Sequence, residues 1–291
     1  MSVAPNSRAA PRRTKRSWVA RLARNRNGGI GLAILGLLAL IALLASTGVV
    51  LHDPLQMHPA EALQPPSAEF LLGTDQFGRD VASRLADGIL MSLRVAVVSV
   101  ALATLIGGLA GIMSGFFGGW LDRVLGRFAD IIFAFPAILL ALSIVTALGR
   151  GWLMTALAIA IVYTPIFFRV ARGPVLSVRV ADYVKAGRVL GYGPMRILLH
   201  HVLPNVSAPI IIQIALALSW AILTESTLSF LGLGTQPPAA SLGLMVSEGR
   251  TLFAVAWWLL VFPSVTIVLA VIGLNLLGDG VRDVLDPRRR G

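Results

Sequence analysis

A polar, basic segment, ADYVKAGRVLGYGPMRILLHHVLP at residues 181–204, separates two long stretches that contain no charged residue. The stretch before it is Gly151–Phe168, and the stretch that follows runs from Val202 to Thr224. A helix needs about 20 mostly apolar residues to cross the hydrocarbon core of a bilayer. The segment is therefore predicted to be a loop between two transmembrane helices.

Four further uncharged stretches of similar length lie elsewhere in the chain. The six predicted spans are Gly28–Leu51, Val95–Leu121, Ile131–Gly149, Gly151–Phe168, Val202–Thr224 and Thr251–Gly278. Residues 226–247 are also uncharged, but glycines and Pro237-Pro238 interrupt them, and irregular backbone facing lipid leaves amides unsatisfied. Only 13% of the 291 residues are charged, whereas soluble domains have about 25%. We predict an all-α integral membrane protein with six transmembrane helices.

The 25 Lys and Arg residues are distributed unevenly between the two sides of these spans. Twenty lie before the first span, between spans two and three, between spans four and five, or after span six. By the positive-inside rule these regions, including both termini, are predicted to be cytoplasmic. The net charge of +11 is thus explained by cytoplasmic loops, without a nucleic-acid partner.

The N-terminal region has two interpretations, a cleaved signal peptide or a retained membrane anchor. Apolar regions of signal peptides span about 7–15 residues, and Gly28–Leu51 is longer, so we expect an anchor. Residues 1–17 are predicted to be disordered, and Trp18–Arg26 is predicted to form an interfacial helix.

Motifs for chemistry are missing from the sequence. It has no phosphate-binding loop, no nucleophile elbow, no zinc-protease helix and no cysteine. His200 and His201 are adjacent, so on a helix they point about 100° apart and cannot chelate a metal together. We therefore expect no catalytic residue, metal or cofactor in this chain, and an intramembrane enzyme is disfavoured.

Residues 171–204 have an internal pattern of their own. Tyr183, Ala186 and Leu190 share one side of a short amphipathic helix predicted at Asp182–Leu190. Gly191 and Gly193-Pro194 predict a turn after it. This segment resembles the EAA loop of binding-protein-dependent ABC importers, on matches at Ala186, Gly191, Leu203 and Pro204. It departs from that pattern at Lys185, Gly187 and His201, and a basic residue like Lys185 is common in the family's peptide branch.

The resemblance covers the chain from about Trp18 to Arg288. Five further segments are similar to motifs of dipeptide, oligopeptide and nickel permeases, at residues 73–80, 116–122, 134–136, 225–234 and 278–288. The resemblance implies a type I ABC importer permease in a bacterial cytoplasmic membrane. It also implies four classes of partner: a second homologous permease in a heterodimer, two ABC ATPase subunits or domains that use ATP and Mg²⁺, an extracytoplasmic solute-binding protein, and lipid.

The domain organisation expected on this basis has five parts. They are a cytoplasmic tail at 1–27, an anchor helix at 28–51, an extracytoplasmic loop at 52–90, a permease core at 91–280 that includes a coupling loop at 171–204, and a cytoplasmic tail at 281–291. Peptide is the expected cargo, while dipeptide, oligopeptide, glutathione-like peptide and nickel chelate all remain open.

Three groups of candidate site residues follow. By resemblance, ATPase coupling is assigned to Tyr183, Lys185, Ala186, Gly187, Gly191, Leu203 and Pro204. Asp75, Arg79 and Asp80 in the outer loop are candidates for contact with the binding protein. Glu225 is a lone acid in an apolar stretch, which fits either a translocation path or gate, or a tether for the glycine- and proline-rich turn after it.

Glycines recur at a fixed spacing in the second predicted span. Gly107, Gly111 and Gly115 are spaced four apart and predict close helix packing.

The basic loop is an alternative candidate for binding anionic headgroups. A secondary transporter driven by an ion gradient is the alternative function, although no inverted repeat is evident in the sequence.

Overall fold

Helices account for most of the regular structure in residues 18–46 and 52–285, which the computed structural model describes. Residues 1–17, 47–51 and 286–291, with the predictions made for them, lie outside this part of the chain. The helices are α1 Trp18–Arg24, α2 Arg26–Ser46, α3 Val81–Ala103, α4 Leu109–Phe117, α5 Gly119–Phe133, α6 Ala137–Leu148, α7 Trp152–Val178, α8 Asp182–Val189, α9 Pro194–Ile197, α10 Leu203–Phe230, α11 Leu242–Gly249 and α12 Trp258–Leu285. Two π-helical turns, Thr104–Gly108 and Leu198–Val202, join α3 to α4 and α9 to α10.

Five helical segments are long and apolar enough to cross a membrane: Arg26–Leu44, Val81–Phe117, Trp152–Val178, Pro194–Phe230 and Trp258–Leu285. Helices α5 and α6 add a sixth span if they are taken together, and they meet at an angle of 94°. Pro136 lies at this corner and precedes the first residue of α6. The uncharged residues 231–247 do not make a further span, because the chain leaves α10 at Phe230 and turns back through the short helix α11.

Several helix boundaries differ from those predicted. The second span begins at Val81 instead of Val95, so residues 81–90 are helical and do not belong to the outer loop. Helix α7 continues to Val178, well into the expected coupling loop. The last span begins at Trp258 instead of Thr251 and extends to Leu285. Helices continue past the uncharged stretches where folding supplies a partner for a charge, as where Arg94 lies 3.9 Å from the ring centre of Trp152.

Helix α7 lies at the centre of the packing, against α3, α4, α6 and α10, while α2 packs on α12. A methyl group on Gly107 would lie 2.2 Å from the Thr164 carbonyl oxygen, and one on Gly111 would lie 2.3 Å from that of Phe168. Only glycine permits this approach of α4 and the π-helical turn to α7. The predicted packing role of these glycines is confirmed.

An ion pair joins α5 to α7. The Arg172 guanidinium donates two hydrogen bonds to the Asp122 carboxylate, at 2.5 and 2.7 Å. The Ser114 hydroxyl at the end of α4 also donates to Asp122. A bidentate pair fixes orientation as well as distance, so α4, α5 and α7 are held in one arrangement beside the α5–α6 corner.

Candidate functional site

Helix α8 presents an apolar surface at the expected coupling loop. The exposed fractions are 46% for Tyr183, 88% for Val189 and 70% for Leu190. Val184 on the opposite side is fully buried and joins a small core with residues of α4, α7 and α10. The helix is therefore anchored by one side while the other, with Tyr183, Ala186 and Leu190, faces outward as the sequence predicted.

Two of the small residues in the loop serve the loop itself. Gly187 is buried, and a methyl group there would lie 3.4 Å from the Tyr192 ring. Gly191 has a φ of 76°, which the turn after α8 requires and which side chains disfavour. Gly187 thus faces inward and Gly191 shapes the turn, while their assignment to ATPase coupling stays a prediction.

The other residues assigned to coupling by resemblance are exposed. Lys185 is exposed and pairs with Asp182 at 3.1 Å, a surface contact of little energetic weight. Leu203 and Pro204 begin α10 and are exposed. Analysis of the sequence missed an aromatic group next to Tyr183, in which Tyr192 stacks on His201 with ring centres 6.1 Å apart. Arg196 covers the Tyr192 ring at 4.3 Å.

The candidate residues of the outer loop point inward. Arg79 donates to the Asp75 carboxylate at 2.6 Å, and both side chains are less than a tenth exposed. Asp80 caps α3 by accepting from the backbone of Ala82 and Ser83. These side chains form bonds within the chain, a geometry that disfavours contact with a binding protein, and the expected contact stays a prediction. The exposed residues of this loop include Leu71 and Phe77.

Arg84 is a buried residue that the sequence analysis did not single out. It is 2% exposed and lies 3.5 Å from the Asp75 carboxylate and 3.4 Å from that of Glu248. Its guanidinium also donates to the Pro238 carbonyl oxygen. The outer loop, α3 and the α10–α12 connection are thus tied at one buried cation.

Glu225 is fully buried among hydroxyl groups. Ser229 donates to its carboxylate at 2.7 Å, and Ser226 lies at 3.5 Å. The hydroxyls of Ser92 on α3 and Ser241, which caps α11, also interact with it. Glu225 therefore joins α3, α10 and the turn before α11, and this geometry favours the tether over the translocation path.

A cavity of about 490 Å³ opens between α6, α7 and α10. Gln213, Trp220, Thr224 and Thr227 line it from α10. Their spacings of seven, four and three residues place them on one face of the helix. Sequence analysis missed this face. The sequence does contain the signal for it, which is a set of polar residues that recur at helical spacing inside an apolar run.

Residues 107–291 match the family described as "Binding-protein-dependent transport system inner membrane component". The chain belongs to this family. It is accordingly a multi-pass permease component of binding-protein-dependent ABC importers, as the EAA-like loop indicated.

Individual members of the binding-protein-dependent permease family are similar over most of this chain. The dipeptide transport system permease protein DppC of Alkalihalophilus pseudofirmus is 41% identical, over 92% of this chain and 88% of that protein. The probable D,D-dipeptide transport system permease protein DdpC of Escherichia coli is 40% identical, over 89% and 87%. The glutathione transport system permease protein GsiD of Pectobacterium atrosepticum is 40% identical, over 77% and 74%.

Solved structures support the same permease fold. The MetNI methionine ABC transporter, in inward-facing conformations, contains a chain that aligns with a TM-score of 0.58 at 19% identity. That alignment covers 69% of this chain and 96% of the MetNI chain. A second crystal form aligns with a TM-score of 0.55.

Replacing Glu225 distinguishes its two possible roles in this permease. We expect Glu225→Leu to lower the amount of protein in the membrane, because it leaves buried serine hydroxyls without an acceptor, at a cost of about 1–3 kcal/mol. Glu225→Gln keeps an acceptor and should retain most of the abundance. Immunoblotting and solute uptake per molecule measure both effects. Lost uptake at normal abundance in Glu225→Gln would instead assign Glu225 to the translocation path.

Proposed function

We propose that this chain is one of two permease subunits in an ATP-driven importer of peptides. The observation that carries the proposal is the exposed apolar side of α8, whose other side is anchored in the protein core. Contiguous apolar side chains exposed to water, here Tyr183, Val189 and Leu190, mark an interaction surface. The names of its relatives, which transport dipeptides, D,D-dipeptides and glutathione, support peptides as the cargo.

The α8 surface is proposed to dock on a separate ABC ATPase that binds ATP and Mg²⁺. Tyr183 supplies an aromatic anchor of the kind that dominates protein interfaces. Ala186 and Lys185 lie beside it on the exposed side, and Leu203 and Pro204 extend the surface towards α10. Because Val184 packs into the core against α7 and α10, a force applied at α8 is transmitted to two spanning helices.

The proposed assembly contains a second, homologous permease, two ATPase subunits or domains and an external binding protein, in a bacterial inner membrane. The open cavity between α6, α7 and α10 supports a partner permease that completes a path. Exposed outer-loop residues such as Leu71 and Phe77 are proposed to contact the binding protein in place of the buried Asp75, Arg79 and Asp80.

Purification of the tagged chain from its native membrane, followed by mass spectrometry and reconstitution, tests the assembly. We expect a second permease and a protein with a phosphate-binding loop to co-purify, and reconstituted vesicles to accumulate peptide only with ATP and binding protein. Peptide uptake by this chain alone, driven by an ion gradient, would overturn the proposal in favour of a secondary transporter.

The docking role of α8 predicts a specific uncoupled variant. Leu190→Asp places a carboxylate on the exposed apolar side, where burial against a partner is costly, and should weaken ATPase co-purification by about tenfold or more. Leu71→Asp, at a leucine of the outer loop that is also more than half exposed, is the matched control and should retain the ATPase. Equal retention by both variants would contradict docking at α8 and favour headgroup binding by the loop.

A further inference from the structure

The cavity between α6, α7 and α10 is lined by apolar side chains with a few uncharged polar side chains among them. None of its lining residues, all within the described part of the chain, carries a charge. Apolar side chains such as Ile138, Ile166 and Trp220 dominate it, and four polar ones, Tyr163, Gln213, Thr224 and Thr227, are interspersed. A wall of this kind suits a ligand that has a few polar groups pointing in fixed directions. Because the wall is uncharged, it does not repel a charged side chain of the ligand.

The hydrogen bonds that the cavity hydroxyl groups already make determine whether each can still donate to a ligand or accept from it. Thr224 donates its proton to the Trp220 carbonyl oxygen at 2.9 Å, so in the 3.0 Å contact with Tyr163 it is Tyr163 that donates. Thr227 donates to the Leu223 carbonyl oxygen at 2.8 Å. Each hydroxyl has only one proton, so the hydroxyls of Tyr163 and Thr227 offer acceptor lone pairs to a ligand.

Gln213 adds a side-chain amide that can donate hydrogen bonds to a ligand. Its side-chain amide has no hydrogen-bond partner within residues 18–46 and 52–285, although it projects from a membrane-spanning helix into the cavity. Gln213 is partly exposed at the cavity wall, so its amide is open to a polar occupant, and a hydrogen bond there would offset the cost of an amide in an apolar span. Gln213 and Thr224 are eleven residues apart, about 16 Å along the helix, whereas an extended dipeptide measures about 7 Å.

We propose that this polar strip on α7 and α10 binds the main chain of peptide cargo during passage. The acceptors take the peptide N–H. Gln213 lies too far along the helix to bond the same dipeptide at the same time, so it donates to the peptide carbonyl at another stage of passage. The inference rests on the proposed function and deepens it by naming the recognised group. Recognition of a main-chain N–H, between uncharged walls, lets cargo side chains of any charge pass.

The test compares alanylalanine with its analogue methylated on the peptide nitrogen, which lacks the N–H. Uptake of each is measured with the reconstituted complex of both permeases, ATPases and binding protein, per molecule of this chain. The binding protein is the same throughout, so its own preference cancels when variants are compared. We expect Thr227→Val to slow alanylalanine uptake by about fivefold and to leave uptake of the methylated peptide unchanged.

Two further variants keep the result interpretable. Thr227→Ser retains the acceptor and should restore the preference for alanylalanine. Thr164→Val is the matched control, because Thr164 also donates to a carbonyl one turn back, that of Ala160 at 2.8 Å, but does not line the cavity. Gln213→Leu should slow both peptides, since both retain the carbonyl.

Each contrary outcome has a distinct meaning. An unchanged preference in Thr227→Val, or equal slowing of both peptides, would overturn main-chain recognition and indicate that lipid or the partner permease fills the cavity. Absence of ATP-dependent uptake of either peptide by the unmodified complex would overturn the proposed function, and this inference with it.

Discussion

Asp75→Asn is expected to destabilise the folded protein by about 3 kcal/mol, because removal of one member of a buried ion-pair group leaves the others uncompensated. Asp75 lies between Arg79, at 2.6 Å, and Arg84, at 3.5 Å, and all three side chains are less than a tenth exposed. Loss of the carboxylate leaves two buried cations, of which Arg84 keeps its ion pair with Glu248 at 3.4 Å. The thermal unfolding midpoint in detergent and the abundance in the membrane should both fall.

The control for this prediction is Glu69→Gln. Glu69 is an exposed acid of the same outer loop, so its neutralisation should leave stability unchanged. The pair of variants also bears on the external partner. If Asp75→Asn left abundance and the unfolding midpoint intact but abolished uptake, Asp75 would act on the binding protein, and the structural role assigned to it would be wrong.

Gly107→Ala is the second change with a large expected effect. The added methyl group would lie 2.2 Å from the Thr164 carbonyl oxygen and 3.0 Å from Cβ of Phe167. Both neighbours belong to α7, and the backbone oxygen cannot rotate away. Overpacking of this kind costs about 1–3 kcal/mol, and separation of the two helices would also disturb α7 beside the cavity. We expect a lower unfolding midpoint and slower uptake.

Gly108→Ala is a control at the adjacent position. A methyl group there would meet only Thr104 Cγ2, at 3.9 Å. Alanine is favoured over glycine in helices by up to about 1 kcal/mol, so this variant should match or exceed the stability of the unmodified protein. Equal stability of the two alanine variants would show that the α4–α7 contact relaxes freely and would contradict the close-packing argument.

The fold class, the number of spans and the loop that carries α8 could be predicted because they depend on local properties of the chain. Apolar length identifies a span. The glycine and proline residues after Leu190 end α8 because their backbone preferences act locally and do not depend on the rest of the fold. The glycines at 107, 111 and 115 predicted packing because their spacing depends only on helical periodicity. Helix ends were less accessible, as Arg84 and Arg94 interrupt an apolar run whose helix continues through them.

The roles of charged and small side chains depended on the tertiary structure. Sequence alone placed Asp75, Arg79 and Asp80 in an outer loop, but only the fold shows that they bond inward. It likewise left Glu225 between two roles, and the serines of three separate elements that surround its carboxylate favour the tether. Sequence by itself determined a helical membrane permease and the position of the loop that carries α8, because apolar length, charge bias and motif spacing are local. Burial and partnership are set by residues far apart in the chain, so tertiary structure alone decided which polar groups face a ligand, a partner or the protein's own interior.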